Sequence, residues 1–230
     1  MADTTNGGAA VKSTSSPAAG ETITLQTATF ASDVIAEINR IRANPSAYAA
    51  ELKLLLSEFE GDKRFVHPKA VTPHVRTTMS EGKPAVEDLI KFLTDEIDAV
   101  PTLATNDALG KIAARLADNP KASPDVRLEA EGVAVRFGTL IEATSQGDLT
   151  PSEIVFFWLV GDGEPTRAIR KALLSSLYRE VGVATVKKGI AKRLNVISLA
   201  NECHKAGVLP SREVFSKAGA AAPAAGQAKP

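Results

Sequence analysis

The apolar residues of this chain change their spacing part-way along it, and that change limits the fold more than any other feature of the sequence. Up to about residue 119 they recur at helical spacing. Val34, Ile35, Ile38 and Ile41 form one stripe, behind Ser32 as N-cap and Asp33 in the first turn. Asn44-Pro45 restarts a helix whose inner face is Tyr48, Leu52, Leu55, Leu56 and Phe59. Pro84 opens a third, with Val86, Leu89, Ile90, Leu93 and Ile97 on one side and Pro101 as its end. Asn106-Asp107 caps a fourth, which carries Leu109, Ile112, Ala113 and Leu116 and closes at Asn119-Pro120. Residues 61–83 have two X-Pro pairs and no clear period, and read as a long loop. Later the period becomes two: Val133, Val135 and Phe137 alternate with Ala134 and Arg136. Val181, Val183 and Val186, then Leu194, Val196, Ile197 and Leu199, read as two strands of a hairpin. Between these lies Thr150-Pro-Ser-Glu153, a capping box that opens a helix holding Ile154, Val155, Trp158 and Leu159, broken by Gly161-Asp-Gly163. A short helix from about Pro165 carries Ile169, Leu173 and Leu174. Helices first and strands late predict an α+β domain, with helices packed on a small antiparallel sheet.

Composition divides the chain in three. Residues 1–27 and 216–230 are low-complexity stretches rich in Ala, Gly, Ser, Thr and Pro, too poor in apolar surface to offset their ordering entropy. They read as N- and C-terminal tails around a domain at 28–215. The 27 Lys and Arg balance 27 Asp and Glu, which removes a bulk electrostatic case for nucleic acid. The longest sharp apolar run, Ile154–Val160, is far short of the roughly 18–20 residues of a membrane span. One cysteine allows no intrachain disulfide framework. With no basic, then apolar, leader pattern at the start, these features place the chain in a reducing cytoplasm.

Four stretches carry a family resemblance. Ile35-Ala-Glu-Ile-Asn-Arg-Ile-Arg-Ala-Asn-Pro-Ser-Ala-Tyr48, Glu81-Gly-Lys-Pro-Ala-Val-Glu-Asp-Leu-Ile90, Trp158-Leu-Val-Gly-Asp-Gly-Glu-Pro-Thr-Arg-Ala-Ile-Arg-Lys171 and Tyr178-Arg-Glu-Val-Gly-Val-Ala184 follow one another over about residues 28–203. In order and spacing they resemble the CAP superfamily of cysteine-rich secretory, antigen-five and pathogenesis-related proteins, and most of all its SCP-like domains from protists and microbes. The resemblance implies an α-β-α sandwich with a central cleft. In the family that cleft usually holds two His and two acidic residues that can bind a divalent metal. Family members are mostly secreted, and roles attributed to them include sterol and fatty-acid binding, protein recognition and a disputed proteolysis.

The sequence departs from the family where its chemistry would be. In the Gly-His-Arg element the His position holds Ile169, and Ala168 replaces the Gly. The stretch that would carry the other His is Ala117–Val126, shortened and without one. Glu142 stands where the family's cleft Glu does, without its Gly and Asn neighbours, and Asp162 is the candidate for the second acid. An isoleucine cannot ligate a metal or move a proton. The expectation is therefore an inactive cleft, with no catalytic residue, no metal site and no cofactor.

Other candidates have plainer readings. His67 and His74 lie in a Pro-containing loop with no Cys or acidic cluster, and read as surface histidines. Cys203 and His204 are adjacent, so on a strand their side chains point to opposite faces; Cys203 reads as a buried or end-of-strand thiol. Gly161-Asp-Gly163 lacks the Lys and hydroxyl of a phosphate loop. Trp158 sits at core spacing. Lys187, Lys188, Lys192 and Arg193 form a basic hairpin tip, either a solvated edge-protecting turn or a candidate patch for an acidic protein partner, such as a tubulin-like surface.

Three functions follow, in this order. The first is a non-enzymatic cytoplasmic interaction or scaffold module that binds protein partners through its surface and tails, within a larger cytoskeletal assembly; in a flagellated cell the axoneme is one such array. The second is a lipid or sterol carrier with an apolar pocket. The third is a hydrolase with a rebuilt cleft around Glu142.

Overall fold

The structure, a computed structural model, describes residues 19–71, 76–136, 140–188 and 192–207, and the side chains of these except 19–28, 188 and 192. Its elements run α1 (Ala19–Ala43), α2 (Pro45–Leu55), β1 (Phe59–Glu60), β2 (Arg64–Phe65), β3 (Thr77–Thr78), α3 (Lys83–Lys91), β4 (Ala104–Thr105), α4 (Asp107–Asp118) and α5 (Pro124–Ala130). Then come β5 (Val133–Val135), β6 (Leu140–Gln146), α6 (Pro151–Val160), α7 (Ala168–Leu173), β7 (Glu180–Lys188), β8 (Lys192–Ala200) and β9 (Cys203–Lys205). The fold is α+β.

The central sheet has the order β4-β7-β8-β6. The β7–β8 hairpin runs from Glu180↔Ala200 to Lys188↔Lys192, and β6 pairs antiparallel to β8. The sheet departs from the expected antiparallel one at its edge: β4 adds two residues parallel to β7, Ala104 opposite Glu180 and Thr105 opposite Val181. A helix crossover is what parallel pairing needs, and everything from α4 to α7 lies between these strands.

Alternation along the hairpin divides its side chains between two cores. Val181, Val183, Ile197, Leu199 and Ala143 face one side. There they pack with Val34, Ile35, Ile38 and Ile41 of α1, with α6 and with Leu173 of α7. Val196 and Ala200 face the other side, against Ala113, Ala117, Leu109 and Ile112 of α4 and Leu128 of α5. The result is three layers, helix–sheet–helix, with α2 and α3 outside α1 and α6. Trp158 is buried in the first core, as its spacing predicts.

Three of the local helix-start signals hold. The Asn44 side chain accepts from the Ala47 amide at 3.0 Å, and that of Asn106 accepts from the Ala108 and Leu109 amides. Thr150 and Glu153 form both halves of a capping box, and Gly161 ends α6 in the left-handed conformation.

Four expectations are corrected. The first helix begins at Ala19, not behind a Ser32 cap, so residues 19–27 of the stretch read as a tail are helical. Once Val34–Ile41 are anchored in the core, each upstream residue adds a hydrogen bond to an existing nucleus. The loop at 61–83 contains β2 and β3, which join β1 in a small antiparallel sheet; two-residue strands are too short to show a period. The third helix widens into a π-helical turn at Phe92–Glu96 and stops there, with Ile97 extended. Helix α5 lies within the stretch read only for a missing His, under a Ser123 cap and with Pro124 at its start. Residues 1–18, 72–75 with His74, Phe137, the hairpin turn 189–191 and the C-terminal stretch 216–230 lie outside the described residues.

Candidate functional site

The motif stretches around Glu81 and Asp162 meet in space. Asp162 leaves the αL turn after α6, and its carboxylate accepts the backbone N–H groups of Ser80 (2.5 Å), Glu81 (2.7 Å) and Gly82 (3.3 Å) at the entry to α3. Amides converging ahead of a helix form a natural seat for an anion. The reverse bond is also made: the Glu81 carboxylate accepts from the Gly163 amide at 2.7 Å. Each loop thus supplies an anion to the other's donors.

Two arginines complete this latch. Arg167 sits in the left-handed region at φ 51°, an uncommon place for a side-chain-bearing residue. It donates to Glu81 at 2.6 and 2.8 Å, to the Glu164 carbonyl at 3.0 Å and to the Gly161 carbonyl. Arg170 is buried and closes the end of α6, donating to the Leu159 carbonyl at 2.6 Å, the Val160 carbonyl at 3.0 Å and Asp88 at 2.7 Å. With Phe92 and Lys171 these residues line a polar cleft of about 440 Å³.

The electrostatics are those of a lock. Hydrogen bonds from Arg167 and the Gly163 amide pull the Glu81 carboxyl down to about 2. Burial pushes Asp88 up, and Arg170 and Arg167 overcome that to hold it below the usual carboxylate range. Glu81 therefore stays ionised across neutral pH, far from the value a general acid or base needs there. A depressed carboxylate stabilises the fold above its unfolded value of 4.5, and that contribution disappears as pH falls through about 2. Glu81→Gln is thus expected to flatten the acid limb of a stability–pH curve between those values; urea midpoints at stepped pH measure it. An unchanged limb would mean that the latch does not hold the loops.

Glu142 lies elsewhere. It is central in β6, opposite Ser198, on the sheet face that α4 and α5 cover. Buried Arg127 of α5 forms an ion pair with it, and Ser198 Oγ donates to it at 3.2 Å. Ile169 packs against the core on the opposite face. Glu142, Asp162 and Ile169 therefore do not converge, and among the described residues no group of three His, Cys, Asp or Glu could hold a metal.

The histidines and the cysteine also have structural surroundings. His67 is buried rather than on the surface, a correction to its loop reading. Its ring lies 5.4 Å from Phe156 and 6.4 Å from Phe65, and Nδ1 accepts from the Lys69 amide. Burial lowers its pKa, so the ring is neutral at pH 7. His204 and Cys203 are neighbours on β9, paired with Ala134 and Val135. Burial, with nearby Glu180, pushes the Cys203 thiol up to about 11, which leaves it a poor nucleophile.

Two surface features remain. At the hairpin tip Lys187 stands opposite Arg193 and Lys188 opposite Lys192. Lys187 and Arg193 are exposed, and Arg193 meets Asp148 at 3.1 Å. Beside α2 lies an apolar groove of about 250 Å³, lined by Tyr48, Leu52, Leu54, Leu55, His67 and Pro68. Its edge carries Glu37, Glu51, Glu58, Lys69 and Ser152. No sequence signal pointed to this groove, because its walls have the same spacing as core residues.

No family model matches the chain, and no curated protein matches it. Solved structures similar to it include a cysteine-rich secretory protein of Staphylococcus aureus, 13% identical with a TM-score of 0.36 over 57% of this chain and 43% of that one. Another is the Schistosoma mansoni venom allergen-like protein 4, 16% identical with a TM-score of 0.35 over 56% of this chain and 90% of that one. A third is the CAP domain of enterococcal PrgA, 16% identical with a TM-score of 0.32 over 52% of this chain and 64% of that one. Among the described residues no helix is long and apolar enough to cross a membrane.

Proposed function

We propose that this chain is a non-catalytic CAP-like module that works by binding other proteins. One observation carries the reading: the carboxylates at the family's cleft positions hold the fold together. Glu142 is engaged by Arg127 and Ser198, and Asp162 by three backbone amides. Ile169, at the imidazole position, packs on the core. The motif stretches that carry the family resemblance support it too, because two of them, Glu81–Ile90 and Trp158–Lys171, form the latch.

The binding surfaces in this reading are the basic tip and the terminal stretches. Its setting is a larger cytoplasmic assembly, cytoskeletal or axonemal. The lipid-carrier alternative would use the groove beside α2. At about 250 Å³ and open to solvent, that groove is smaller than the roughly 300–1,000 Å³ of sites that enclose a small molecule.

The test is detergent extraction of native cells followed by identification of what co-purifies. Retention in the insoluble fraction with a reproducible set of proteins is the expected result. A freely soluble chain that brings down no protein would overturn the proposal.

A further inference from the structure

We propose that the groove beside α2 is a docking site for a basic amphipathic helix of a partner protein. The inference rests on the binding-module reading and adds to it a surface and a class of partner. Three observations lead to it.

The first is a pattern along one wall. Glu51, Leu54, Leu55 and Glu58 all line the groove, on α2 and on the tight helical turn, Leu56–Glu58, that continues it. They stand at i, i+3, i+4 and i+7, so they share one face, with an acid at each end and two leucines between. Seven residues of such a helix span roughly 10–12 Å. A helix laid along that wall matches it with the same spacing and the opposite charge: cations at i and i+7, aliphatic side chains at i+3 and i+4.

The second is the charge of the rim. Glu37, Glu51 and Glu58 border the groove, and two cations answer them. Arg40 forks between Glu37 (2.9 and 3.0 Å) and Glu51 (2.6 and 3.1 Å), so one guanidinium is shared by two acids. Lys69 donates to Ser152 Oγ at 3.4 Å, and that hydroxyl donates to Glu37 at 2.8 Å. Both cations therefore serve the Glu37 end, and Glu58 has no partner among the described residues. Such a rim repels an anionic head group and attracts a cationic occupant.

The third is what the groove leaves unmet. Leu54 is 75% exposed, and Val71, two residues beyond Lys69, is 55% exposed; large apolar side chains left this open mark an interaction surface when they gather around one groove. Tyr48 and His67 also line it, each more than nine-tenths buried. The Tyr48 hydroxyl has no hydrogen-bond partner among the described residues. His67 Nδ1 accepts from the Lys69 amide at 3.2 Å, which places the ring proton on Nε2, and that N–H has no acceptor among the described residues either. A polypeptide occupant supplies both needs, side chains for the leucines and polar groups for these two atoms.

The experiment is fluorescence anisotropy of a labelled synthetic helix titrated with the full-length chain at low and high salt. The probe is an Ala-rich peptide of about 15 residues, with Lys at i and i+7 around Leu at i+3 and i+4. One control peptide carries Glu in place of both Lys, and another carries Ser in place of both Leu. The chain variants are Leu54→Asp and the pair Glu51→Lys with Glu58→Lys; all three positions are exposed, and circular dichroism checks each fold. The expected result is saturable binding of the Lys–Leu peptide that weakens with salt. Each control peptide, and the Leu54→Asp chain, should bind at least about tenfold more weakly, as loss of a central anchor does. The charge-reversed chain should prefer the Glu peptide to the Lys peptide.

No saturable binding of the Lys–Leu peptide by the wild type would overturn the inference. So would binding indifferent to Leu54→Asp, or a charge-reversed chain that keeps the wild-type preference. An acyl chain that organic solvent extracts from the wild type, and not from Leu54→Asp, would overturn it as well. A chain that fails the titration and still brings down its proteins from cells would leave the binding-module reading standing, so the two proposals fail separately.

Discussion

Arg42→Ala is expected to be strongly destabilising. Arg42 is fully buried at the end of α1, and its guanidinium has no carboxylate partner among the described residues. It donates instead to four backbone carbonyls: Pro101 at 2.7 Å, Leu173, Ser175 at 3.1 Å and Tyr178 at 3.2 Å. One side chain thereby ties the end of the first helix to the strand-leading segment before β4, to the end of α7 and to the approach to β7. Burial draws its pKa down to about 10, so it still carries its charge at neutral pH. Removing it leaves several carbonyls buried without donors and a cavity beside them. Each carbonyl left buried without a donor costs about 1–3 kcal/mol. Total stability of a domain is typically about 5–15 kcal/mol. Urea unfolding measures the loss as a lower midpoint. Arg42→Lys should recover only part of it, since an ammonium reaches fewer of the four acceptors. A midpoint within experimental error of the wild type would mean that these carbonyls find other donors.

Gly182→Ala is expected to cost at least about 3 kcal/mol, at the top of the range for overpacking a core. Gly182 lies on β7 where α4 crosses the sheet. A Cβ there would land on the Gly110 nitrogen and the Leu109 carbonyl carbon, and 2.7 Å from Gly110 Cα. The obstacle is helix backbone, which has no rotamer to change, so α4 would have to lift off the sheet. Gly110 gives the internal contrast. A Cβ at that position meets only the Val183 carbonyl oxygen, at 3.9 Å. Gly110→Ala is therefore expected to be neutral or to stabilise by up to about 1 kcal/mol, because alanine holds a helix better than glycine. Thermal melts of the two variants should move in opposite senses. A common downward shift would show that the helix–sheet distance is shorter at both glycines than the structure gives.

The legible parts of the fold were the locally encoded ones. Asn44, Asn106 and the Thr150–Glu153 box cap helices with atoms only two or three residues from their partners, so the signal is contained in a short window. The β7–β8 hairpin was legible because its alternating valines and leucines are buried on both faces. Strand β6 was not: Leu-Ile-Glu-Ala-Thr-Ser-Gln has little period of its own, and its extended form comes from pairing with β8, about 50–60 residues away.

The candidate site divides the same way. Sequence could nominate Glu142 and Asp162 as carboxylates but could not say what faces them. The partner of one is on α5, and the donors of the other lie about 80 residues earlier. His67 was misjudged for a related reason: Phe156, which covers it, comes from another helix. The motif arginines 42, 167 and 170 were quoted as part of a pattern, yet nothing in a linear pattern says that they bind carbonyls.

Three buried arginines limit which residues this fold can exchange. Arg42, Arg127 and Arg170 are each buried and each donate to backbone carbonyls at the end or edge of an element. Their requirement is for a planar fork of donors, which lysine cannot reproduce and no apolar residue replaces. Ile169, which packs against the core, is under no comparable geometric demand. Exchange at these three interior positions is therefore limited by the shape of the donor as well as by its charge, whereas an aliphatic contact such as that of Ile169 can be made by other apolar side chains.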